Sequence, residues 1–136
     1  MTAKEQLDLI YSFFGFSCTD LSKILHVSRP AIYAWIDATE PKIENAERIK
    51  YLAQLAFDIA PEPYCPMFYI FVNRPVEHNE KSLLEYLIDD NQSREFISAL
   101  AKTVYQMSVE RRKRIEDVPK AKHGSKSGIY DSFLDY

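Results

Sequence analysis

Residues 21–38 read LSKILHVSRPAIYAWIDA, and the fold turns on how this stretch divides. Leu21, Ile24 and Leu25 recur at the three- and four-residue spacing of a helix with one buried face. The pattern stops at His26 and Val27. Ser28 then offers a side-chain oxygen to the first amides of a new helix. Pro30 in that first turn costs little, because the amides there have no helical partner anyway. Ile32 and Trp35 resume the apolar face, which runs to about Ile36. The spacing predicts two short helices joined by the turn HVS at 26–28.

The same kind of signal extends outward. Thr2 with Glu5 is a capping box that starts a helix through Leu7, Ile10, Tyr11 and Phe14, and Gly15 is placed to end it. Ser17 with Asp20 repeats the start signal for the helix that carries Leu21. DATEP at 37–41 breaks the third helix. A fourth is expected to begin near Ile43 or Glu44, pack through Ala46, Ile49, Leu52, Ala53 and Ala56, and stop before Pro61. Composition changes in PEPYCPMFYIFVNRP (61–75), where four prolines bracket an aromatic and β-branched run. Residues 67–72 are therefore expected to be extended, a short strand that needs a partner in this chain or in a second copy. Ser82 and Glu85 cap a short helix, SLLEYLI. Ser93 opens a long amphipathic one with Phe96, Ile97, Leu100, Val104 and Met107 on one side. Past Val118 the chain is polar and expected to be disordered, closing on the apolar, acidic tip GIYDSFLDY (128–136).

With 136 residues, 46% of them hydrophobic and only three glycines, the chain has enough apolar material for a core and few turn residues. The expected fold is mainly α-helical. The expected organisation is an N-terminal helical domain (1–60), a small helical region with one short strand (61–118), and a basic tail (119–136). The net charge of −3 is unevenly spread. Residues 111–126 hold seven cations against two acids, which leaves −8 for the rest. Cys18 and Cys65 form no C-x-x-C, and His26, His78 and His123 are far apart in sequence, so no zinc spacing is present and no cofactor is expected. Two isolated cysteines suit a reducing compartment. No signal peptide and no membrane-spanning run is read, and the expected location is the cytoplasm. No hydroxyl, thiol or carboxylate falls in a catalytic pattern, so an enzyme is not expected.

LSKILHVSRPAIYAW places Ser22 where two steeply crossing helices would touch, Val27 in the turn, and Ile32 and Trp35 as anchors beneath the second helix. With the helices on either side, it resembles the phage-repressor-like (lambda-repressor or Xre-type) helix-turn-helix family over roughly residues 3–60. The resemblance implies a five-helix module whose second helix crosses the DNA backbone and whose third enters the major groove. Two positions depart from the family: His26 stands where a turn glycine is usual, and Cys18 where a glutamine often opens the second helix.

Carried onto this chain, the resemblance implies base reading by Ser28, Arg29, Pro30, Tyr33 and Ala34. Arg29 is the candidate for bidentate contact with guanine. Lys23, Lys42, Asn45 and Arg48 would meet phosphates. Outside the resemblance, Arg111, Arg112, Lys113 and Arg114 read equally as the solvated cationic end of a helix or as a further basic arm. Residues 1–60 carry six Lys or Arg against eight Asp or Glu. One such domain would bind weakly, so a homodimer on an inverted-repeat operator is expected. Phe68, Ile70, Phe71, Phe96, Leu100 and Val104 are its candidate pairing residues, or contacts for another partner. The function expected is that of a DNA-binding repressor from a phage, plasmid or mobile element. Two alternatives stay open. The chain could be an antitoxin that represses its own operon and binds a toxin through its C-terminal half. It could also be an adaptor that keeps the helix-turn-helix only as scaffold.

Overall fold

The computed structural model describes residues 1–60 and 65–116. Within them the chain forms seven helices and no strand. The order is α1 (Ala3–Phe14), α2 (Cys18–Leu25), α3 (Arg29–Ile36), α4 (Ile43–Ile59), α5 (Tyr69–Val72), α6 (Leu83–Asp89) and α7 (Arg94–Glu116). The mainly α fold is as expected. Expectations for the tail, residues 119–136, lie outside the described residues.

Most boundaries follow from local chemistry. Thr2, Ser17 and Ser82 each close a capping box, with the hydroxyl accepting from the amide three residues on and a carboxylate accepting in return. Ser93 caps α7 by accepting from the Phe96 amide at 3.1 Å. Gly15 ends α1 at φ 75°, a left-handed conformation that glycine adopts without strain.

The core is one body of apolar side chains. Leu7, Ile10, Phe13 and Phe14 of α1 meet Ile49, Leu52 and Ala56 of α4, with Ile32 of α3 and Val104 of α7 in the same cluster. Phe13 joins α1 to α7: its ring lies 5.0 Å from Phe14, edge to face, and 5.5 Å from Tyr105 of α7. The buried cluster thus runs without a break across residue 60. α7 lies against α4, α5 and α6, and α6 also lies against α2.

Residues 67–72 correct the strand expectation. The Met67 amide donates to the Phe13 carbonyl at the end of α1 (2.8 Å), and the Phe68 amide donates to the Ser108 hydroxyl on α7 (2.8 Å). The next amides turn inward, Phe71 to the Phe68 carbonyl and Asn73 to that of Tyr69. An isolated extended run cannot satisfy its backbone in this way. A single helical turn pinned at its entrance to two neighbours can. Burial then falls on Met67 and Val72 rather than on alternate residues.

Candidate nucleic-acid interface

α2, the turn 26–28 and α3 form the unit expected from LSKILHVSRPAIYAW. Three features hold it. Asp20 is buried and accepts the Ser17 amide at 3.0 Å, fixing the start of α2. His26 ends α2 at φ 56°, in the left-handed conformation for which glycine is the usual choice, and its amide donates to the Ser22 carbonyl. For a non-glycine residue that conformation costs about 1–2 kcal/mol, offset here by the packing on either side. Ser28 accepts from the Ala31 amide, and Pro30 sits in the first turn of α3.

α3 has two faces. Ile32 and Trp35 are buried in the core. Ser28, Arg29, Pro30 and Tyr33 are exposed, with Ala34 half-buried beside them. Positions 29 and 33, and 30 and 34, are one turn apart, so these side chains make a continuous surface. Arg29 forms no hydrogen bond or ion pair with the described residues; neither Asp20 nor Asp37 pairs with it. The Tyr33 phenol is held above the usual tyrosine range, first by hydrogen bonding with the Cys18 thiol and then by burial. Tyr33 thus presents a neutral hydroxyl on the outer face of α3.

The expected phosphate contacts divide. Lys23 on α2 and Lys42 before α4 are exposed, and Asn45 is half-buried in the first turn of α4. Arg48 is used differently. Its Nη2 donates to the Ile24 carbonyl (3.1 Å) and to the Leu87 carbonyl (3.2 Å), and its Nη1 lies 2.6 Å from the Asp90 carboxylate. Both carbonyls belong to the last turns of helices, α2 and α6, where no intrahelical amide reaches them. One guanidinium therefore caps two helix ends at once, which removes Arg48 from the set able to grip a phosphate. Sequence spacing puts Arg48 on the right helix but cannot show that α6 closes over it.

The expected partner-facing residues divide as well. Leu100 and Val104 are buried in the chain's own core, and the Phe96 ring packs edge to face on Tyr86 of α6. Phe71 is half-buried against Phe68 at 5.1 Å, and Ile70 is the most exposed of the group. In the basic stretch, Arg111 lies over the Phe68 ring, 3.5 Å from its centroid, while Arg112, Lys113 and Arg114 are exposed.

A cleft of about 310 Å³ opens between α4, α6 and the start of α7, lined in part by Glu47, Arg48, Tyr51, Tyr86, Asp90 and Arg94. Arg94 stands 4.4 Å over the Tyr51 ring, and burial pushes the Tyr51 phenol up. Its walls carry both signs of charge. Among the described residues no group of three His, Cys, Asp or Glu is placed to hold a metal, and no helix is long and apolar enough to cross a membrane. No known protein family, no curated protein and no solved structure matches the chain.

Proposed function

We propose that the chain is a sequence-specific DNA-binding regulator, a homodimeric repressor that occupies an inverted-repeat operator through α3. One observation carries this reading: a short helix anchored by Ile32 and Trp35 presents Ser28, Arg29, Pro30 and Tyr33 outward, with the Arg29 guanidinium unpaired among the described residues. The major groove admits a helix of this kind, and an unpaired arginine is the side chain that best matches the two acceptors of guanine. Lys23, Lys42 and Asn45 would fix register on phosphates, and Arg112, Lys113 and Arg114 would add charge to a domain that is itself acidic. The homodimer supplies the second half-site that one weakly charged domain needs.

Binding to the DNA upstream of its own gene, wild type beside Arg29→Ala across a salt series, tests the proposal. The wild type should protect a short inverted repeat. Arg29→Ala should lose about 1–3 kcal/mol of discrimination at one base pair per half-site while keeping salt-sensitive, unspecific binding. Equal binding of both proteins to any duplex, or to none, would overturn it and leave the two helices as scaffold.

A further inference from the structure

We propose that residues 128–136, GIYDSFLDY, dock on their own chain at the corner formed by α5 and the last turns of α7. The surface has an apolar centre and a cationic rim. Phe68 is stacked under the Arg111 guanidinium at 3.5 Å. Ile115, one turn beyond Arg111 on the same face of α7, is 49% exposed, and Ile70 of α5 is 42% exposed. Arg112, Lys113 and Arg114 are exposed on the same turns of α7, and no carboxylate of the described residues pairs with any of these cations. Such a corner calls for an occupant that is both apolar and acidic.

Residues 128–136 are that kind of chain. They carry Ile129, Tyr130, Phe133 and Leu134 with Asp131 and Asp135, and no cation. The other acidic, apolar stretch, 82–90, is already used as α6. Length also favours the chain's own segment over a second copy. Eleven residues, 117–127, connect the end of α7 to the tip and can span at most about 40 Å. Arg111 lies only about 8 Å back along the helix from its end. Connections this short give effective concentrations in the millimolar range, so even a weak contact is filled from within.

The consequence is regulatory and rests on the DNA reading, although the docking itself does not. Asp131 and Asp135 would sit against Arg111, Arg112, Lys113 and Arg114 in place of phosphates, so docking and unspecific DNA binding compete for the same cations.

The test is amide and methyl NMR of the full chain, wild type against F133S/L134S. Shifts are expected at Phe68, Ile70 and Ile115, unchanged on tenfold dilution, with the α1–α4 resonances undisturbed. Superimposable spectra at α5 and the end of α7 would overturn the proposal. Shifts that fade on dilution would also overturn it, because they would put a second copy in the site. Random duplex should bind the variant several-fold tighter at low salt. If the shifts appear but DNA affinity does not change, the competition for these cations fails while the docking stands, and the DNA reading is left to the Arg29→Ala comparison.

Discussion

The outer face of α3 and the corner where α2, α4 and α6 meet each carry an arginine, and the two are used in opposite ways. Arg29 extends from a helix whose other side is locked by Ile32 and Trp35, and it meets no acceptor among the described residues. Arg48 spends its fork on two helix-terminal carbonyls and the Asp90 carboxylate. A guanidinium with unused donors in water gains from any planar anion or base edge it meets. One whose donors are taken would lose internal bonds to gain the same contact. The difference separates an arginine left facing solvent from a joint that fixes how α6, and α7 after it, sit on α2 and α4.

The largest effect is expected where both regions depend on the same packing. Phe13 is fully buried and touches both Phe14 and Tyr105. Phe13→Ala should cost about 3–5 kcal/mol through lost transfer energy and the cavity left behind. Urea unfolding followed by far-UV signal and by tyrosine and tryptophan fluorescence should show one coincident transition at a lower midpoint. Two separated transitions would mean that residues 1–60 and the later helices are independent bodies, and that the comparison is between domains rather than within one core.

Next in size is the joint itself. Arg48→Ala leaves the Ile24 and Leu87 carbonyls without a donor and Asp90 without its cation, and should cost about 2–3 kcal/mol. Arg48→Lys keeps the charge but not the fork, and should recover less than half of that loss. Neither change should alter how steeply duplex binding falls with salt. A slope reduced by about one would mark Arg48 as a phosphate contact after all and erase its contrast with Arg29.

Local signals carried most of the helix boundaries. Thr2, Ser17, Ser28, Ser82 and Ser93 all cap where their spacing to Glu5, Asp20, Ala31, Glu85 and Phe96 indicates, because a cap involves only four neighbouring residues. The two faces of α3 were legible for the same reason, since periodicity alone sorts Ile32 and Trp35 from Arg29 and Tyr33. What escaped was long-range. The commitment of Arg48 depends on Leu87, 39 residues away, and the turn at 69–72 depends on Phe68 finding Ser108, 40 residues away. A β-branched, aromatic composition favours strand only when another edge is available. Here Phe13 and Ser108 take the first two amides instead.

The smallest effect concerns the thread between the helix-turn-helix and α5. Tyr69 donates its hydroxyl to Asp20 at 3.3 Å, on the carboxylate that also receives the Ser17 amide at the head of α2. Burial, and then the Asp20 charge, holds the Tyr69 phenol above the ordinary tyrosine value, and Tyr51 is raised chiefly by burial. An unfolded chain releases these protons near pH 10, before the folded one does. Their contribution to stability is therefore complete below about pH 10 and is lost as pH rises through the higher folded values. Tyr69→Phe removes one of these groups together with its bond to Asp20, and should cost about 1 kcal/mol at neutral pH. Above pH 10 the wild type gives up the Tyr69 share while the variant has none to lose, so the gap between them should narrow. Urea midpoints at pH 7, 9 and about 10.5 measure that gap directly. Curves that stay parallel would show that Tyr69 keeps its ordinary ionisation, and that α5 is tied to α2 by packing rather than by the Asp20 carboxylate.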